Sequence, residues 1–158
     1  MVETIDEKGS WLAGLIDGDG CLTACLKSPV PGSNKRLVLG FEIAQTSRDT
    51  LDFANEILTG LGGNCYIVHK PVRIKKDGYP RQAMYVLMTH KLKNLEILTN
   101  ILGDKLIDKN KKRKLDIMRE YISQKTRFKI DLNWETEIYN KFHEFRTAKG
   151  RNNEQSKS

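Results

Sequence analysis

A chain of 158 residues has room for one domain with a sizeable core, and a hydrophobic content of 39% is enough to fill one. No run approaches the ~18 apolar residues of a membrane span, and Met1 to Lys8 lacks the apolar stretch of a secretion signal. Twenty-seven Lys and Arg against twenty Asp and Glu leave a formal charge of +7, which rules against basic partners and favours a polyanion, most commonly nucleic acid.

Residues 12 to 20 read Leu-Ala-Gly-Leu-Ile-Asp-Gly-Asp-Gly. At a helical period of about 3.6, Ser10, Ala13, Gly14 and Asp17 share one face, and Trp11, Leu12, Leu15 and Ile16 the other. The bulky face suits a core, while the small face lets a second helix approach closely. After Ile16, Gly18 and Gly20 disfavour further helix by about 1 kcal/mol each, so the helix is expected to end there with Asp17 and Asp19 at its C-terminus. That end already carries partial negative charge, and something positive should lie near it. Two such helices side by side would bring carboxylates together, and a hard cation such as Mg²⁺ is a suitable neutraliser. An ordinary Asp-Gly turn is the plainer alternative. An EF-hand loop starting at Asp17 is not, because Leu22 stands where its glycine belongs and Ser28 where its bidentate glutamate belongs.

Cys21 to Lys27 alternates as a half-buried strand with Leu22, Ala24 and Leu26 on one face. Ser28 to Asn34, with Pro29, Pro31 and Gly32, is a hairpin loop. Arg36 to Gln45 alternates again, with Leu37, Leu39, Phe41 and Ile43 inward and Arg36, Val38, Gly40, Glu42 and Ala44 outward. Thr50 to Leu61 is helical, N-capped from Ser47 or Asp49 and stopped by glycines. Asn64 to Lys75 and Arg81 to Thr89 form a second hairpin around the Asp77-Gly78 turn. Helices follow over Lys91 to Leu102, Asn110 to Gln124 and Glu135 to Phe145. Residues 147–158 of Arg146 to Ser158 read from composition as a basic, disordered tail after a domain over residues 1–146. The order αββαββα gives an α+β fold with four antiparallel strands and helices on one sheet face, plus C-terminal helices. Cys21, Cys25 and Cys65 form no CxxC pair and leave an odd one, which suits reduced thiols.

Leu12 to Gly20, with Gly18 in the alanine position, resembles the signature of the LAGLIDADG homing endonucleases, and the similarity of layout covers roughly residues 8 to 122. Within that family the chain is most similar to the single-motif enzymes that act as homodimers. The resemblance implies a curved antiparallel sheet laid in the DNA major groove on each side of a two-fold axis. It implies a site-specific endonuclease that cuts both strands of a long pseudo-palindromic duplex by metal-dependent phosphodiester hydrolysis, leaving 3′ overhangs. An RNA-splicing maturase and a non-catalytic DNA-binding regulator on the same scaffold are the alternatives. Asp19 takes the catalytic acidic position, binding Mg²⁺ with the Gly18 carbonyl, and Mn²⁺ is a possible substitute; Asp17 reads as structural. Gln45 is similar in position to the residue that orders the attacking water. Lys109 fits the lysine near the scissile phosphate, with Lys111 its rival in the run Lys109 to Lys114. Asp49, with Arg48 beside it, stands where some relatives have an arginine. The outward sheet residues Thr23, Cys25, Lys27, Arg36, Val38 and Glu42, with Lys70, Arg73, Lys75, Arg81 and Gln82, are the expected DNA contacts. Ser10, Ala13, Gly14 and Asp17 are the expected dimer interface. An intracellular location, organellar or prokaryotic, no membrane partner and no small-molecule substrate complete the expectation. His69, His90 and His143 read as surface or packing residues.

Overall fold

The first helix is set by its cap. The Thr4 hydroxyl accepts from the Glu7 amide at 3.1 Å while the Glu7 carboxylate accepts from the Thr4 amide at 2.7 Å, a reciprocal box that satisfies two otherwise orphaned donors. The helix, α1, spans Ile5–Asp19 in the computed structural model, which describes residues 4–125 and 132–155, with side chains up to residue 144 except that of Arg81. It does not end at Ile16. Three further residues stay helical, and the Gly20 amide closes the last turn on the Ile16 carbonyl. The helical cost of Gly18 is offset by bonds from the Ile107 and Asp108 amides to the Asp17 carboxylate and from the Lys111 ammonium to the Ile16 and Asp17 carbonyls.

Burial on α1 also differs from the wheel drawn from sequence. Gly9, Leu12, Ala13 and Ile16 face the core, so Ala13 is not on the open face, and Trp11 is 38% exposed. Gly9 sets this rotation: a Cβ there would stand 2.6 Å from the Ile101 carbonyl oxygen, so only glycine lets the next helix come this close.

Two strands follow directly, β1 (Gly20–Lys27) and β2 (Arg36–Gln45), paired antiparallel with Thr23 opposite Gly40 and Lys27 opposite Arg36. Helix α2 covers Arg48–Gly60. The second hairpin is not one continuous pair. It consists of β3 (Tyr66–Lys70), a short separate ribbon of β4 (Arg73–Ile74) and β5 (Pro80–Arg81), and β6 (Met84–Thr89). Pro71 follows β3 directly and has no amide to continue the ladder. The ribbon is closed by Gly78 at φ +84, whose amide reaches the Lys75 carbonyl, and by the Asp77 carboxylate accepting from the Tyr79 amide.

The main sheet has the order β1-β2-β6-β3, all neighbours antiparallel. On one face Leu22, Ala24, Leu37, Leu39, Phe41, Ile43 and Leu87 join the core with residues of α1 and α2 and of the later helices α3 (Leu92–Leu102), α4 (Lys109–Lys125) and α5 (Leu132–Gln155). The other face carries Thr23, Cys25, Lys27, Val38, Gly40 and Glu42, and register places Met88, Tyr66, Val68 and Lys70 beside them, together with Val86, which is buried. The sheet thus has one greasy side and one open side, as alternation over β1 and β2 leads one to expect. Helix α5 runs through residues 147–155 of the segment read from composition as a tail; residues 156–158 lie outside the described residues. Among the described residues no helix is long and apolar enough to cross a membrane.

Candidate functional site

The motif's two acids are separated by the fold. Asp17 turns toward the start of α4, where its carboxylate accepts from the Ile107 amide at 2.8 Å and the Asp108 amide at 3.0 Å. In return Lys111 Nζ donates to the Ile16 and Asp17 carbonyl oxygens at 2.8 and 2.7 Å. The positive group expected at the C-terminus of α1 is therefore Lys111, neutralising the dipole's negative end directly. Each helix end satisfies the other's orphan groups.

Asp19 stands apart from Asp17 at the exposed tip. Its Oδ2 accepts from Gln45 Nε2 at 2.6 Å, which joins the last residue of α1 to the last residue of β2. One amide hydrogen of Gln45 goes to Asp19, and its carbonyl oxygen is left to accept from a water or ligand. Gly18, one residue earlier, is exposed, and a Cβ there would meet nothing within 4 Å. Lys109 is exposed in the first turn of α4. That turn holds no acid, and Lys109, Lys111 and Lys112 put cations where the helix dipole is positive. Each exposed cation placed there is unfavourable by roughly 0.3–1 kcal/mol, which a bound anion would reverse. Asp49 lies in the first turn of α2, the favourable end for an acid, and Arg48 reaches Asp52 at 3.6 Å and the Tyr85 ring.

Among the described residues no group of three or more His, Cys, Asp or Glu could enclose a metal. The donors present are hard oxygens, the Asp19 carboxylate and nearby main-chain carbonyls. They fit Mg²⁺, which needs only one or two carboxylates when water and substrate phosphate complete its shell.

The open sheet face holds Thr23, Cys25, Lys27, Val38, Glu42 and Lys70 together, while Arg73, Lys75 and Gln82 are exposed on and beside the ribbon. Arg81 lies opposite Arg73 in register; its side chain lies outside the described residues. Arg36 is diverted from this face. Its guanidinium reaches over the strand end to Glu135 of α5, with Nη2 2.9 Å and Nε 3.1 Å from the same carboxylate oxygen. Glu135 is 1% exposed and also accepts from the Leu37 amide at 2.6 Å and the Tyr121 hydroxyl at 3.4 Å. Burial pushes the Glu135 carboxyl up, but the Arg36 hydrogen bonds, the Leu37 amide and the charges of Arg36 and Lys125 outweigh it and hold it below the usual carboxylate range. Burial, then the Glu135 charge, pushes the Tyr121 phenol up to about 12. Sequence reading missed Glu135. Its signal was a carboxylate on the same helical face as Ile138 and Phe142, where an apolar residue belongs.

Along α1 from Ser10 onward the residues left open to solvent are Ser10, Trp11, Gly14, Gly18 and Asp19, with Asp17 half-buried and bonded at the start of α4. A Cβ on Gly14 would meet nothing within 4 Å. Trp11 leans edge-on against Phe53 of α2, with ring centroids 4.6 Å apart.

No family profile matches the sequence, and no curated protein does. Solved structures do. The archaeal intron-encoded homing endonuclease I-Vdi141I, solved with DNA, superposes with a TM-score of 0.67 at 23% identity, covering 91% of this chain and 85% of that one. The homing endonuclease I-TnaI gives 0.57 at 20% identity over 89% and 88%, and the group I intron-encoded homing endonuclease I-CeuI, solved with DNA, gives 0.64 at 17% over 90% and 69%. Some other similar structures are longer chains, of which this one spans 36% to 43%. The fold is that of the LAGLIDADG homing endonucleases.

Proposed function

We propose that this chain, on the fold of the LAGLIDADG homing endonucleases, is a site-specific DNA endonuclease working as a pair of identical subunits, each cutting one strand. The observation that carries the reading is the 2.6 Å bond between Gln45 and Asp19 at the exposed end of α1. It supports a site in which a carboxylate and a water-orienting amide stand side by side, ready for phosphodiester hydrolysis. Asp19 and the Gly18 carbonyl would hold Mg²⁺, with Mn²⁺ a substitute, and the cation supplies charge neutralisation at the phosphate and at the attacking and leaving oxygens. Gln45, donating to Asp19, presents its carbonyl oxygen to align a water for in-line attack. Lys109 places a cation where a phosphate meets the start of α4. The open sheet face lies in the major groove, which admits a two-stranded ribbon.

One site per chain and two strands to cut call for a C2 dimer. Ser10, Gly14 and Gly18 form the small open stripe along which the partner's α1 packs. Sedimentation is expected to give twice the chain mass, and Gly14→Leu, which fills that open space, is expected to give monomers that keep the native circular dichroism. A monomer by sedimentation of the native chain, with or without DNA, contradicts the pairing.

Incubating the native protein with a randomised duplex library and Mg²⁺, then sequencing the cut ends, tests the activity. Cleavage at one pseudo-palindromic site with staggered 3′ overhangs is expected, because paired sites close to the two-fold axis face one minor groove. Binding without cleavage would move the chain to a DNA-binding regulator.

A further inference from the structure

Gly40 stands in the middle of β2 on the open face, opposite Thr23. A Cβ there would lie 2.6 Å from His90 Cε1 and 2.7 Å from Thr23 Oγ1, closer than real side-chain carbons approach other atoms. The ring of His90, the residue just after β6, therefore occupies the space that a side chain at position 40 would fill. Residue 90 is nonetheless exposed, and among the described residues no hydrogen bond or ion pair engages it. In either tautomer one ring nitrogen donates, and the neighbouring Thr23 hydroxyl both donates and accepts. Thr23 lies three residues along β1 from Gly20, the residue after Asp19, about 10 Å at strand rise. Glu42 stands one position nearer on the same face of β2, and the only cations on β1 and β3 of that face are Lys27 and Lys70, toward the strand ends. The middle of the sheet thus carries polar groups suited to base edges rather than charges suited to phosphates.

We infer that His90, seated over Gly40 beside Thr23, is a base-reading residue that selects a purine at one base pair of each half-site. The inference rests on the open face lying in the major groove. An imidazole N–H meets purine N7, an acceptor that pyrimidines lack, and the Thr23 hydroxyl meets the adjacent six-position group whether it is the oxygen of guanine or the amine of adenine. Gly40 acts as the seat: its missing side chain keeps the ring low on the sheet and oriented.

The test is selection of bound sequences from a randomised duplex pool in EDTA, where no strand is cut, by the native protein, His90→Ala and Gly40→Ala. His90→Ala is expected to lose about tenfold in purine preference at one position per half-site, with the other positions and the melting temperature unchanged. Gly40→Ala, which displaces the ring without removing it, is expected to weaken preference at that same position. A His90→Ala profile identical to the native one, or weakened evenly at every position, overturns the inference while leaving the groove-facing sheet intact. Failure of the native protein to select any sequence overturns the groove reading itself, and the role of His90 with it.

Discussion

Asp19→Asn is expected to lower strand cleavage by ~1,000-fold or more, as when a group that stabilises transition-state charge is removed, while duplex binding stays equal or tightens. The asparagine keeps the size of the side chain and an oxygen to accept from Gln45, so the tip of α1 keeps its shape. It lacks the negative charge that draws a divalent cation to the phosphate. Binding tightens if anything, because a carboxylate facing a phosphate repels it. Cleavage and binding measured on the same substrate check both halves. Full cleavage by the variant defeats the assignment of Asp19. The sister substitution Asp17→Ala separates the two acids of the motif. It removes two charge-assisted bonds to the start of α4 and is expected to appear mainly as lost stability, about 1–2 kcal/mol in line with other helix-cap deletions.

The largest loss of stability is expected at the buried carboxylate. Glu135→Ala removes the acceptor for Arg36, Leu37 and Tyr121 together, and breaking such a pair costs about 3 kcal/mol, the low end of the range because Arg36 remains half in solvent. For a domain of this size that lowers the melting temperature by about 6–12 °C. The same network sets a pH dependence. The folded Glu135 carboxyl lies below its unfolded value, so its contribution is complete above about pH 5 and is lost as pH falls through the unfolded value near 4.3 and on to the folded one. Tyr121 has the opposite sign: its folded value of about 12 exceeds the unfolded value near 10, so stability falls as pH rises from about 10 to 12. Denaturant melts of native and Glu135→Gln protein across pH 3–6 check the acid limb, which the variant flattens. Arg36→Ala discriminates further. If Arg36 served as a phosphate contact, its loss would lower the salt dependence of DNA binding by about one ion; held by Glu135, its loss lowers the melting temperature and leaves that dependence unchanged.

What could be read from the residues alone was local. Alternation over Cys21 to Lys27 and Arg36 to Gln45 placed two strands and their inward faces correctly, because a half-buried strand writes its environment at period two. Thr50 to Leu61 and Lys91 to Leu102 were legible as helices for the corresponding reason at period 3.6. Rotation of α1 was not, since it depends on Gly9 meeting Ile101, 92 positions away, and a wheel drawn from Ser10 to Asp17 contains no such partner. The helix ran past Gly18 because Lys111 and Asp17 stabilise its last turn, again from across the fold. Alternation places Arg36 outward and the family resemblance makes it a groove contact, yet a buried acid 99 positions later engages it. His90 reads from sequence as a surface or packing residue because its neighbour is a glycine on another strand.

The mutual clasp between the ends of α1 and α4 has a consequence for the order of events during synthesis. Its bonds join residues 90 to 95 positions apart, so the tip of α1 is fixed only after the chain beyond Lys111 has emerged. A nascent chain ending near residue 100 can pair β1 with β2 and bring Gln45 near Asp19, but α1's last carbonyls still face water and its glycines can fray. Long-range closure of this kind comes late because loop entropy must be overcome first. A growing polypeptide therefore carries the open face of its sheet before the end of α1 is set, and that end is locked only once the start of α4 has been made.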